Sequence, residues 1–178
     1  MNHLILINQT HSYPVSIQQD MVIIHPDFPD ILLEREAVQA LARLMAEIDG
    51  WQHIVPVSGW RSFFEQQKIY QDSLRDNGQE FTAQYVALPG HSEHQTGLAV
   101  DLGLRQSDIN FICPAFPYDG ICQRFRELAP SYGFIERYPA GKESVTGISH
   151  EPWHFRYVGT PHAECITRRG LTLEEYLL

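Results

Sequence analysis

With 178 residues, 43% of them hydrophobic and 20% charged, the chain is long enough for one domain with a real core and reads as globular rather than disordered. A formal net charge of −9, with no run of Lys or Arg, speaks against electrostatic binding to nucleic acid or an anionic membrane. The opening MNHLILINQT has no basic segment and only LILI as an apolar run, too short for a secretory leader or a membrane span; the three cysteines, Cys113, Cys122 and Cys165, are odd in number and form no C-x-x-C, so a reducing, cytoplasmic setting without disulfides is expected. Residues 3–7 (HLILI) are expected as a short strand, and residues 11–31, with Pro14, Pro26 and Pro29, as irregular. Over 33–49 the apolar positions Ala37/Val38, Leu41, Leu44/Met45 and Ile48 recur every three or four residues, a helix that Gly50 stops. IVPVS (54–58) follows as a strand, then a helix over 62–77 with Ser62 as N-cap and Gly78 as stop. LAVDLGL (98–104) is a strand. Residues 119–132 form a helix with Ile121, Phe125, Leu128 and Tyr132 on one face. HFRYV (154–158) is a strand, and LTLEEYLL a short helix capped by Thr172 with Glu174 and Glu175 in its first turn. There is no βαβ rhythm, no G-x-G-x-x-G and no Walker pattern, which points to α+β.

The stretch SHEPWHFRYVG (149–159) contains H-E-x-x-H, the pattern that places two zinc-binding histidines on one face of a helix. Pro152 lies inside it. Proline in a helix interior costs about 3 kcal/mol and pushes the preceding residue out of the helical region, and HFRYV prefers a strand. The helical motif is therefore rejected. Glu151 and His154 stay of interest, although residues three apart do not share a face of a regular strand. The densest polar group elsewhere is PGHSEHQTGLAVDLG (89–103), with His91, Glu93, His94 and Asp101. A carboxylate within an apolar strand is costly unless paired or metal-bound. Two imidazoles and a carboxylate, His94, His154 and Asp101, with a fourth position left to water, would make a catalytic zinc site. On residue types alone, plainer roles stand level with it: Asp101 capping a turn or pairing with an arginine, and His94 at the surface.

Ser92-Glu93-His94-Gln95-Thr96-Gly97-Leu98-Ala99-Val100-Asp101 matches S-x-H-x-x-G-x-A-x-D, and Glu151-Pro152-Trp153-His154 follows about fifty residues later. Together they resemble the VanX/VanY family of zinc D-Ala-D-Ala peptidases. Ser58-Gly59-Trp60-Arg61-Ser62 with Gln66 is similar to that family's S-G-Y-R-S-x-x-x-Q, with Trp60 in place of the usual Tyr; YVALPG, EPWHFRYVG and LTLEEYL extend the likeness. Within the family the chain looks most like the bifunctional VanXY dipeptidase/carboxypeptidase type. The resemblance implies one zinc D,D-peptidase domain over 1–178, a mainly antiparallel sheet flanked by helices of the hedgehog/DD-peptidase kind. It implies one catalytic Zn2+ held by His94, Asp101 and His154, Glu151 as general base, Arg61 stabilising the developing oxyanion, and Ser92 and Gln66 holding the substrate carboxylate. His91, His150 and His162 match no family ligand. The implied reaction is hydrolysis of D-Ala-D-Ala dipeptide, removal of the terminal D-Ala from peptidoglycan-precursor peptides, or both, in glycopeptide resistance or cell-wall metabolism. The alternatives are an L,D-carboxypeptidase or endolysin-type peptidase with the same zinc site, and a non-catalytic zinc-containing peptide-binding module.

Overall fold

The computed structural model describes residues 2–14 and 20–178. Strands β1 (Met21–His25) and β2 (Phe28–Glu34) form an antiparallel hairpin. Strands β3 (Ile54–Ser58), β4 (Ala99–Leu104), β5 (Phe134–Tyr138) and β6 (Glu151–Tyr157) form one antiparallel sheet in the order β3-β4-β6-β5. Helices α1 (Arg35–Glu47), α2 (Phe63–Tyr85), α3 (Gly120–Leu128), α4 (Glu143–Thr146), α5 (His162–Arg169) and α6 (Leu173–Leu177) flank these sheets. The α+β class and the antiparallel sheet are those expected.

Helix α1 exists because its apolar residues fall on one stripe: Ala37, Ala40, Leu41, Leu44 and Met45 are all buried. They pack into the same core as Ile54 of β3, Val100 and Leu102 of β4 and Phe155 of β6. Its start is held by the Glu34 carboxylate, which accepts from the backbone N–H groups of Glu36 and Ala37. The central strands β4 and β6 are buried on both faces, so each can carry polar side chains only where those groups find partners.

Several expectations need correction. Residues 3–7 form no strand; Leu4 and Leu6 pack under Ile135, Val158 and Ile166, while Arg156 Nη2 donates to the carbonyls of His3 and Ile5 in place of a neighbouring strand. The segment expected as irregular over 11–31 contains β1 and the start of β2, with residues 15–19 lying outside the described residues. Pro26 sits in the hairpin turn, and Pro29 lies where the register shifts between the pairs Ile23↔Leu32 and His25↔Phe28, so neither breaks a regular ladder. Gly78, non-helical at φ 83° and ψ 173°, interrupts the helix where expected, but helix resumes beyond it, so α2 runs on to Tyr85. Helix α3 ends at Leu128 and passes into a 3-10 turn, Ala129–Tyr132, where Pro130 cannot continue the α ladder.

Candidate metal centre

Antiparallel pairing of β4 with β6 places Asp101 directly opposite His154. His94 reaches them from the 3-10 turn Glu93–Thr96, which Gly97 closes in the left-handed region at φ 72°. The hairpin presses on that turn: Gly97 O accepts from Glu34 N at 2.8 Å, and a Cβ at Gly97 would lie 3.1 Å from that nitrogen and collide with Met21.

The three side chains are buried and offer donor atoms within 4.8 Å of one another. Asp101 is shared: Oδ2 lies 3.1 Å from His94 Nε2, and Oδ1 lies 2.9 Å from His154 Nδ1. The two imidazoles stand nearly perpendicular, at 89° with centroids 5.0 Å apart. His94 Nδ1 lies 2.7 Å from the Gly59 carbonyl, which can only accept, so the proton sits on Nδ1 and the Nε2 lone pair faces Asp101. Two neutral-capable imidazoles and one carboxylate, with His94 held by the Gly59 carbonyl and Asp101 by Arg61, fit a zinc ion. His3, Glu34 and Glu36 also cluster, but Glu34 is already the cap of α1, Glu36 is exposed, and the positive end of a helix dipole repels a cation.

Charge in the centre is uneven. His94 is pushed down to about 4, by burial above all and then by the Arg61 charge. Burial would also lower His154, but its contacts with Asp101 and Glu93 and the fields of Asp101 and Glu151 prevail and raise it to about 9. Burial opposes ionisation of Asp101, yet the two histidines hold it well below the usual carboxylate range. Glu151 behaves oppositely: burial pushes its carboxyl up to about 8. Its Oε2 lies 3.7 Å from His154 Nδ1 although the residues are three apart on β6. The ladder explains this, because between the pairs Glu136↔Phe155 and Tyr138↔Glu151 strand β6 takes four steps where β5 takes two.

Arg61 precedes α2, whose start is fixed by a reciprocal capping box between Ser62 and Glu65. Its guanidinium donates to Ser58 Oγ at 2.8 Å, Gln66 Oε1 at 3.2 Å and Asp101 Oδ2 at 2.9 Å. Gln66 is fully buried, and its Nε2 donates to the Ala87 carbonyl at 2.8 Å. Ser92 is buried too, with a hydroxyl that makes no hydrogen bond among the described residues. These residues, with Tyr138 and Trp153, line a cleft of about 340 Å³ that exposes all three donors and Glu151. His91, His150 and His162 lie apart from the three donors, bonded to Asn8 O, Tyr118 and Tyr176 respectively.

Glu93 was assigned no role from sequence. It is fully buried between Arg137 and Arg156 and lies beside His154. The available signal was the pair of arginines within the aromatic segments FIERY and HFRY, since buried guanidinium groups require a buried carboxylate.

Against known proteins, the family profile described as VanY, D-alanyl-D-alanine carboxypeptidase, matches residues 30–160. The bifunctional D-Ala-D-Ala dipeptidase and carboxypeptidase VanXYC of Enterococcus gallinarum is 43% identical over 178 residues, covering 99% of this chain and 94% of that one. The solved structure of the vancomycin-resistance D,D-dipeptidase VanXYg with a D-Ala-D-Ala phosphinate analogue superposes with a TM-score of 0.97 at 52% identity, over 99% of this chain and 70% of that one. The LD-carboxypeptidase LdcB superposes with a TM-score of 0.82 at 34% identity, over 99% and 86% of the two chains.

Proposed function

The chain belongs to the VanY family of D-alanyl-D-alanine carboxypeptidases, and on that premise we propose that it is a zinc peptidase of the bifunctional VanXY kind, cleaving D-Ala-D-Ala as a free dipeptide and at the end of peptidoglycan-precursor peptides. The observation that carries this reading is the buried His94, Asp101 and His154 set facing a cleft with Glu151 beside it. The cleft volume falls in the range of small-ligand sites, about 300–1,000 Å³.

A zinc ion held by those three side chains supplies Lewis acidity, polarising a carbonyl and lowering the pKa of a water toward ~7. Burial pushes the Glu151 carboxyl up to about 8, while the Arg61 charge draws it down as a bound cation would; in its ionised form Glu151 takes the proton from the attacking water and returns it to the leaving amine. Arg61 faces the same cleft with its guanidinium already oriented by Ser58, Gln66 and Asp101, so it meets the oxyanion without reorganising. Ser92, whose hydroxyl makes no capping hydrogen bond to its own turn, offers it to the substrate carboxylate. Gln66, with both polar atoms engaged by Arg61 and the Ala87 carbonyl, acts by fixing the Arg61 fork toward the oxyanion.

We assign residues 1–178 to one zinc D,D-peptidase domain and place its work in the cytoplasm, in glycopeptide resistance or cell-wall metabolism. Supporting the location are three unpaired cysteines, which suit a reducing compartment. Among the described residues no helix is long and apolar enough to cross a membrane.

The test is D-alanine release from D-Ala-D-Ala, from a pentapeptide ending in D-Ala-D-Ala and from a tetrapeptide ending in an L,D bond, each with zinc and with chelator. Release from the first two substrates, abolished by chelator and restored by zinc, is expected. Release from the tetrapeptide alone would make the enzyme an L,D-carboxypeptidase. A protein that binds zinc and turns over none of the three is a binding module.

A further inference from the structure

The zinc reading leaves one ligand without an evident anchor. His94 is oriented by the Gly59 carbonyl, whereas the outward nitrogen of His154, Nε2, is buried and has no hydrogen-bond partner among the described residues. What it faces is Glu93 Oε2, 3.6 Å away, itself buried and without another partner among the described residues. The other oxygen, Oε1, accepts from Arg137 Nε and Arg156 Nη1, both at 2.8 Å. Neither guanidinium can turn aside. Arg137 is clamped by both oxygens of Glu174 on α6, at 2.8 and 2.6 Å, and Arg156 by the carbonyls of His3 and Ile5 at 2.9 and 2.7 Å.

Resting on that zinc reading, we infer that Glu93 is the positioning residue of His154: a carboxylate pinned by Arg137 and Arg156 that accepts the Nε2 proton and thereby aims the Nδ1 lone pair at the metal. A carboxylate only accepts, so a ring nitrogen turned toward one carries a proton, and His154 has one on each side: Glu93 at Nε2 and Asp101 Oδ1, 2.9 Å away, at Nδ1. A zinc ion shared by Nδ1 and Asp101 would take the place of the Nδ1 proton, leaving the Nε2 proton held by Glu93 and the Nδ1 lone pair on the metal. The two arginines make the arrangement one-directional. In Glu93→Gln the single amide oxygen stays with the two guanidinium groups, which turns the amide NH2 toward His154 Nε2. A donor there requires Nε2 to accept, which moves the proton to Nδ1, the nitrogen that must hold zinc.

Metal titrations of Glu93→Gln and Glu174→Gln against the unmodified protein separate this role from general support, because both variants remove one charge from the same buried ionic chain and only the first touches His154. Glu93→Gln is expected to weaken zinc about 10- to 100-fold, the usual cost of losing an outer-shell partner, and to alter the visible spectrum of the cobalt-substituted protein. Glu174→Gln is expected to lower the melting temperature while keeping the zinc affinity and cobalt spectrum of the unmodified protein. A folded Glu93→Gln with unchanged zinc affinity overturns the inference, as does an equal loss in Glu174→Gln. Should Glu93→Gln not fold, long-range 1H–15N spectra of the zinc-loaded unmodified protein decide: a proton on His154 Nε2 is expected, and metal on Nε2 overturns it. Unmodified protein that takes up no zinc overturns the zinc reading and this inference together; normal zinc uptake with an unaffected Glu93→Gln overturns this inference alone.

Discussion

Glu151 and His154 are the pair on which regular strand geometry misleads. Alternation would send them to opposite faces, yet the irregular stretch of β6 turns both toward Asp101. Because Glu151 is not among the three donors, removing its carboxylate should leave the metal in place. Glu151→Ala is expected to copurify with zinc at the unmodified stoichiometry while kcat falls about 10²- to 10⁴-fold, the span of a lost general base. Metal analysis beside steady-state kinetics checks this; undiminished kcat removes Glu151 from the mechanism. On residue types alone the three donors were legible only as a candidate level with plainer roles, signalled by Asp101 in an apolar strand and a histidine in an aromatic one; the roles of Glu151, Arg61, Ser92 and Gln66 came from the resemblance to the VanX/VanY family. Glu93 was not legible, because its partners Arg137 and Arg156 lie 44 and 63 residues away and only the sheet brings them to it.

Elements whose side chains follow a clean period were readable, and those held by irregular contacts were not. Helix α1 and strand β3 follow from their apolar spacing. HLILI looks like a strand for the same reason, but its carbonyls are satisfied by the Arg156 side chain, which no local pattern announces. The β1–β2 hairpin was hidden by prolines that fall where the ladder is already broken. That hairpin bears directly on the centre, since it packs on the turn carrying His94 through Gly97. Gly97→Ala meets two penalties: a left-handed φ of 72°, worth roughly 1–2 kcal/mol for an L side chain, and a methyl forced against Met21 and the Glu34 backbone. The hairpin and turn must separate to admit it. We expect a lower melting temperature together with weaker zinc binding, read by thermal melts and metal titration. By contrast, Gly78, at φ 83° and ψ 173°, lies in a region almost confined to glycine, so Gly78→Ala costs at least as much in the backbone, about 1–3 kcal/mol, but meets no neighbour within 4 Å and should lower stability while sparing zinc. Equal zinc affinity in both variants would dissociate the hairpin from the metal site.

Across the whole molecule, the centre couples folding to protons as well as to metal. In chelated protein His154 is held at about 9 rather than 6.5, and Glu151 at about 8 rather than 4.5. Both shifts are upward, so between about pH 6.5 and 9 the folded state keeps protons that the unfolded chain has released, and stability falls as pH rises through that window. The His154 contribution is fully present below 6.5 and is lost as pH passes 9. The Glu151 contribution has the same sign, beginning lower and ending near 8. Glu93 and Asp101 are depressed and work in the opposite sense, but only in acid, outside this window. Because Glu151 and His154 are in contact and titrate together, their shifts do not simply add. We expect a combined loss on the order of 2 kcal/mol, or roughly 4–8 °C in melting temperature for a chain of this size. Zinc reverses the trend, since binding at His154 displaces its proton and each displaced proton makes apparent affinity rise up to ~10-fold per pH unit. Tighter binding to the folded state alone adds stability by mass action. Thermal melts from pH 6 to 9.5, with chelator and with a fixed excess of zinc, should therefore diverge: a falling curve without metal and a widening gap with it. A chelated melting temperature that is flat or rises from pH 6.5 to 9 would show that His154 and Glu151 do not hold these protons in the folded protein.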